Sequence, residues 1–229
     1  QQLTNHKGKT FWFTETPAQV TVEDIYYDRK QVARADQQVT VMDYVFLPDT
    51  PGTYNYDPQL QERNRSWGGI QKILSSTAND LIEENIECVE FWAQILNAPP
   101  DAKVYIDLGR VSEDVIPNNR LDKDDLDRND AIDVDGKEDT GIDGLTNDQE
   151  KTTFASTQND PSRDDFFYLR GSQPYPYDYF SINGTQGNAI LTDIGRIPDT
   201  EDMNRNGNLD QNNSYYRYEI PLDTNSTTN

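Results

Sequence analysis

The residues best suited to chemistry are oxygen donors set at alternate positions around a glycine. The clearest run is Asp202-Met-Asn204-Arg-Asn206-Gly207-Asn208-Leu209-Asp210. A calcium loop of EF-hand type takes side-chain oxygens at positions 1, 3, 5 and 9 and a backbone carbonyl at 7, with glycine at 6 for the turn. Asp202, Asn204, Asn206 and Asp210 fill the side-chain positions, Asn208 offers the carbonyl, and Leu209 is an apolar anchor. Position 12 falls on Asn213, so the usual bidentate glutamate is missing. A second copy places Asp125, Asp127, Asn129 and Asp133 in the same frame, with Asp130 where glycine belongs. A third uses Asp139, Asp143 and Glu150, the last at position 12, with Gly141 at position 3 and Gly144 at the turn.

Flexible loops with many oxygens favour calcium over magnesium, which demands a tighter octahedron. A single His and a single Cys exclude a nitrogen/sulfur zinc site. The competing explanation is that Asp-Gly and Asn-Gly pairs simply make turns in an acidic chain.

Charge narrows the classes of partner. With formal net charge −21 and pI near 4.2, the 229-residue chain lacks the basic footprint of a nucleic-acid binder. Anionic membrane surfaces are disfavoured for the same reason. Between residues 112 and 212 lie 23 of the 41 acidic residues but only 9 of the 20 basic ones. So long and polar a connection needs an ordering agent, and bound cations that neutralise repelling carboxylates are the natural one. Cys88 alone cannot make an intrachain disulfide, and its apolar context reads as a buried thiol. No signal peptide and no long apolar span is visible. Gln1-Gln2 at the start and a polar end through Asn229 suggest a piece of something longer.

The elements expected to carry these loops are strands. Phe11–Thr16, Gln38–Leu47, Asn85–Gln94, Ala102–Gly109 and Ser214–Leu222 are rich in β-branched and aromatic residues. Helix is expected only as short pieces, with Asp80–Ile86 the best candidate. The predicted fold is mainly β: a jelly-roll-like β-sandwich from 1–109 and 214–229, with 110–213 as an acidic, calcium-stabilised insertion within it. Its sheets should bury Ile70, Val89, Phe91, Val104 and Ile106, with Trp67 and Trp92 as core residues. Catalysis is not expected. Glu87 and Glu90, three apart on a strand, point to opposite faces, His6 has no nucleophile motif nearby, and no phosphate loop or nucleophile elbow occurs.

Two blocks carry a resemblance. Trp67-Gly-Gly-Ile, Ile86-Glu-Cys-Val-Glu-Phe-Trp92 and Val104-Tyr-Ile-Asp-Leu-Gly-Arg-Val-Ser-Glu-Asp114 form one. Asp139-Thr-Gly-Ile-Asp-Gly-Leu-Thr-Asn-Asp148, Ser181-Ile-Asn-Gly-Thr-Gln-Gly-Asn188 and Thr200–Asp210 form the other. Together they resemble the SprA/Sov family of Bacteroidetes, the outer-membrane translocon of type IX secretion and gliding motility. The resemblance implies a soluble segment of a giant β-barrel, placed at the extracellular face or, alternatively, in the periplasm. Its implied partners are the rest of that barrel, a partner outer-membrane barrel protein and exported cargo. A different reading is a calcium-dependent carbohydrate-binding module of a cell-surface protein, stacking sugars on Trp12, Trp67, Trp92 and tyrosines.

Overall fold

A computed structural model describes residues 6–14, 20–26, 33, 37–39, 42–56, 65–73, 81, 85, 89, 101–125, 127, 129, 140–165, 190–191, 195–196 and 199–222. The chain divides into two compact units: residues 1–72 with 116–201, and residues 73–115 with 202–229.

In the first unit β1 (Gly8–Thr14) pairs antiparallel with β4 (Met42–Pro51), Phe11 opposite Val45. Strand alternation sends Phe11 inward, 3% exposed, and leaves Trp12 on the open side. The register shifts between Gly8 and Lys9, and Gly52 N–H closes the end on the Lys7 carbonyl at 2.9 Å. Trp67 adds a parallel bridge to Lys7, with Gly8 N–H donating to Trp67 O at 2.9 Å. A Cβ on Gly68 would sit 2.3 Å from Thr10 and 2.8 Å from the Phe46 ring. The backbone itself therefore lies against β1 and β4 there.

Smaller elements complete the unit. β2 (Val20–Thr21) pairs with β3 (Gln38–Val39) and leads into α1 (Val22–Tyr26). Thr21 and Asp24 make a reciprocal cap: Thr21 N–H donates to Asp24 Oδ2 at 2.8 Å and Asp24 N–H to Thr21 Oγ1 at 3.2 Å. After β5 (Lys103–Arg110) the chain continues with α2 (Asn147–Thr153), β6 (Ile190–Leu191) and β7 (Gly195–Arg196), the last two paired.

The spine of the second unit is β5 (Lys103–Arg110) against β8 (Ser214–Pro221), antiparallel, with Asp107 opposite Arg217. Arg217 clamps both Asp107 oxygens at 2.7 Å, and Lys103 pairs with Glu219 across the ladder. The guanidinium also lies 4.8 Å from the Tyr105 ring centroid.

The chain is thus mainly β, as the sequence led us to expect, and the expected strand at 214–222 is present and pairs with β5. The described strands form two-stranded ladders. The expected core differs in detail. Ile70 and Val89 are each 54% exposed, Trp67 is also exposed, and Val104 and Ile106 are half-buried; Phe91 and Trp92 lie outside the described residues. At Trp67–Ile70 the reason is the close glycine contact at Gly68, which holds the segment by backbone while its larger neighbours turn outward. Neither α1 nor α2 was anticipated, and most of 80–86 lies outside the described residues. No described helix is long and apolar enough to cross a membrane.

Among the described residues, buried side chains are mostly polar. Phe11, Val22, Tyr54 and Ile142 are buried apolar groups among the described residues, whereas Glu113, Asp124, Asp125, Glu150, Asp164, Asp199 and Glu201 are buried acids.

Candidate metal centre

The richest acidic site belongs to the first unit, where residues 140–165 fold onto Tyr54–Tyr56. Gly141 (φ +57°) and Gly144 (φ +69°) turn the chain tightly around Asp143. Leu145 N–H donates to Asp143 Oδ1 at 2.8 Å, and Gln149 Oε1 accepts the Thr146 N–H at 2.9 Å to start α2. That short helix sets Glu150 one turn on, fully buried. Phe154, just beyond it, stacks on Tyr56 with ring centroids 3.7 Å apart. Ser162 N–H donates to Glu150 Oε2 at 3.1 Å, and Ser162 Oγ reaches Asp143 Oδ2 at 3.0 Å. Tyr56 OH donates to the same oxygen at 3.0 Å. Tyr54 fastens both segments: its N–H donates to Ser162 O at 2.9 Å, and its hydroxyl accepts the Ile142 N–H at 2.9 Å.

Into this corner come carboxylates from three places in the sequence. Asp143, Glu150 and Asp164 each place an oxygen within 4.8 Å of the others, and Asp160, Asp164 and Asp165 form an adjoining trio. Asp164 packs so close to Gly141 that a Cβ there would meet its Oδ2 at 2.1 Å. Burial, reinforced by neighbouring carboxylates, pushes the Glu150 carboxyl up to about 7 and that of Asp164 to about 10. Burial likewise raises Asp143 and Asp160. Such a group of oxygens can hold a metal ion, whose charge would offset their repulsion.

The loop at 202–210, in the second unit, has the turn its sequence implies. Gly207 stands at φ +77°, and Asp202 accepts N–H groups from Asn206 (2.9 Å) and Gly207 (2.7 Å). Asn204 Oδ1 accepts Asn206 N–H at 2.9 Å, and the Asn204 and Asn206 amides reach Asp210 Oδ2 at 2.6 and 3.1 Å. Asn208 donates its N–H to Asn206 Oδ1 at 2.7 Å. Beneath the loop lies Glu113, 4% exposed. Its Oε1 accepts Met203 N–H (3.1 Å) and Asn204 N–H (3.4 Å), and its Oε2 accepts Asp210 N–H (3.1 Å).

The loop at 125–129 repeats part of this pattern in the first unit. Asn129 N–H donates to Asp125 Oδ1 at 3.0 Å and to Asp127 Oδ1 at 3.1 Å. These are the bonds that Asn206 makes to Asp202 and Asn204. Asp125 also pairs with Lys123 at 2.8 Å, a cation that competes with any metal for that carboxylate.

Of the residues singled out from sequence, Asp143 and Glu150 come together, as do Asp202, Asn204, Asn206 and Asp210, and Asp125, Asp127 and Asn129. Asp133 and Asp139 lie outside the described residues. Sequence reasoning missed Asp160, Asp164, Asp165 and the supporting Glu113. The first three sit in Asp160-Pro-Ser-Arg-Asp-Asp165, which has acids but no alternation. Glu113 lies far from its loop in sequence, and no local pattern marks it. No protein-family profile and no curated protein matches this chain.

Proposed function

We propose that this chain is a non-catalytic, calcium-ordered soluble segment of an outer-membrane protein-export translocon of the SprA/Sov kind, serving type IX secretion and gliding motility at the extracellular face. In this reading the paired strands belong to a jelly-roll-like sandwich, and the acidic stretch 110–213 is an insertion held by calcium. The observation that carries the calcium part is the loop at 202–210, where four side chains of a calcium-loop frame converge around a glycine with φ +77°. The export part rests on the sequence blocks that resemble the family. Physically, a wide barrel needs ordered soluble insertions to seal its lumen and dock partners without exposing new strand edges. Outside the cell, free calcium is plentiful enough to keep weak loops filled.

Two measurements test it. Calcium should raise the melting temperature relative to excess chelator, because an ion that binds the folded form stabilises it by mass action. In the full-length protein, deleting this segment should abolish cargo secretion and gliding; cells that secrete and glide normally would refute the export role.

One observation favours a second reading, calcium-dependent carbohydrate binding. Tyr216 and Tyr218 on β8 and Tyr105 on β5 are exposed aromatics. Pulldown on insoluble glycans, with Tyr216→Ala and Tyr218→Ala as controls, separates the two.

A further inference from the structure

The Asp143–Glu150–Asp164 corner has a feature that the sequence motifs do not foresee. Glu150 is fully buried, and only one of its oxygens is used by the protein: Oε2 accepts the Ser162 N–H, whereas Oε1 is buried with no hydrogen-bond partner. A buried carboxylate oxygen left so is costly. Glu150 nonetheless offers an oxygen within 4.8 Å of ones from Asp143 and Asp164. Donors among the described residues hold Asp143 in place. Tyr56 and Ser162 both bond to Asp143 Oδ2, and Leu145 N–H bonds to Oδ1. Arg163, the adjacent cation, instead directs its guanidinium to the Asn55 and Pro161 carbonyls and Gln158.

We propose that Asp143, Glu150 and Asp164 bind one divalent cation, with calcium as the occupant, and that this ion locks segment 160–165 onto α2. The choice of calcium rests on the functional reading above; the ligand set does not. The site also departs from the loop template. Asp164 enters from outside the 139–150 frame, so the ion joins two segments, while loop ions bind within one. An all-carboxylate set suits a hard cation. Three carboxylates carry more negative charge than one divalent ion neutralises, so the bound site stays anionic and prefers cations of higher charge.

Tyr56 supplies a reporter. Its hydroxyl lies 3.0 Å from Asp143 Oδ2, close enough for tyrosine excitation to sensitise terbium bound at this carboxylate. The experiment uses the full chain in four forms: parent, Glu150→Gln or Asp164→Asn alone, Asp202→Ala/Asp210→Ala to remove the 202–210 loop ligands, and that double variant carrying Glu150→Gln or Asp164→Asn. Terbium emission on tyrosine excitation should persist in the loop double variant. It should weaken at least tenfold in apparent affinity once Glu150 or Asp164 is neutralised.

A second readout separates ion binding from a merely structural role. In chelator, Glu150→Gln and Asp164→Asn should melt close to the parent, because each amide keeps the size of the acid it replaces and an acceptor oxygen. In calcium, each should lose part of the parent's rise in melting temperature. Equal calcium responses in parent and both variants would overturn the proposal. If the loop double variant loses all ion binding while Glu150→Gln binds as the parent does, this site alone is refuted and the calcium-loop reading stands. If the double variant is unchanged and Glu150→Gln loses binding, the reverse holds.

Discussion

Replacing Glu113 should loosen the 202–210 loop by an amount that can be worked from its contacts. The buried carboxylate accepts N–H groups from Met203 and Asp210 at 3.1 Å and, more weakly, from Asn204 at 3.4 Å. Bonds to a charged acceptor contribute roughly 1.5–3 kcal/mol each, and a buried donor left without one costs about 1–3 kcal/mol. Two good bonds would give more than about 4 kcal/mol if the freed amides stayed dry. Met203 and Asn204 are half-buried and Asp210 is exposed, so water recovers part of the loss. We therefore expect Glu113→Ala to lower the local opening free energy by about 2–4 kcal/mol. That corresponds to hydrogen exchange roughly 30- to 700-fold faster at the Met203 and Asp210 amides. Glu113→Gln keeps one acceptor oxygen but turns an amide N–H₂ toward a backbone donor, so about half that effect follows. The assay is residue-resolved amide exchange with and without calcium. Calcium should restore most of the protection, since ligands that converge on an ion also fix the loop, but at an affinity lowered by the same opening term. Unchanged exchange at Met203 and Asp210 in Glu113→Ala would show that the loop orders itself and that the carboxylate beneath it is incidental.

Gly207→Ala should cost about 1–2 kcal/mol from backbone strain alone, because φ is +77° and no atom lies within 4 Å of a built Cβ; a urea melt reads it, and calcium affinity should fall in parallel. Tyr54→Phe removes the acceptor of the Ile142 N–H inside the core and should cost about 1–3 kcal/mol, measured the same way. Gly141→Ala should cost more than Gly207→Ala, because its Cβ would strike the Asp164 carboxylate as well as meet a φ of +57°; it should also weaken ion binding, read by calorimetric titration. Burial lowers the Lys7 ammonium from 10.5 to about 8, so the folded state disfavours its charge and the unfolded state holds the extra proton between those values. Stability therefore rises with pH from about 8 to 10.5, by up to about 3 kcal/mol. The comparison with Lys7→Met cancels the opposing ionisation of buried tyrosines, and parallel pH profiles of parent and variant would refute the assignment.

Legibility followed locality. Alternation of oxygen donors over a few residues marked Asp202, Asn204 and Asn206 as one group and Asp125, Asp127 and Asn129 as another, and each group is brought together by hydrogen bonds. Glycine at position 6 foresaw the positive φ at Gly207. The β-branched and aromatic run at 214–222 foresaw a strand, and β5 supplied its partner. What stayed hidden is long-range. Asp164 reaches Glu150 only because Tyr54 and Ser162 fold the intervening chain back, and Glu113 serves a loop that is ninety residues away along the chain. Trp67 and Ile70 misled for another reason. Their apolarity predicts burial, but the neighbouring Gly68 lets backbone make the contact that side chains were expected to make. Helix α2 was obscured by its composition, since Asn147-Asp-Gln-Glu-Lys-Thr-Thr153 has no apolar stripe and is fixed by its cap and by the buried Glu150.

Four of the buried acids share one task, and it helps so polar a chain to hold a shape. Glu113 receives N–H groups from residues 90 to 97 positions away. Glu201 receives those of Ile116 and Asp122, 85 and 79 positions away. Asp124 Oδ1 takes the Thr140 N–H, and Glu150 takes that of Ser162. Each is a charge-assisted bond from a side chain to remote backbone, made where an ordinary domain would place Leu or Ile. Apolar contacts hold whatever the ionic conditions, whereas this scheme concentrates negative charge inside the fold. Every added carboxylate strengthens the local backbone ties and raises the repulsion among its neighbours. That repulsion is felt at Asp143, Glu150 and Asp164, where burial raises all three carboxyls and neighbouring carboxylates add to the rise. A divalent cation relieves the repulsion without giving up the backbone ties, which protonation would weaken. The order of such a chain should therefore track free calcium, rising by RT ln(1 + [Ca²⁺]/Kd) for each independent site that only the folded form offers.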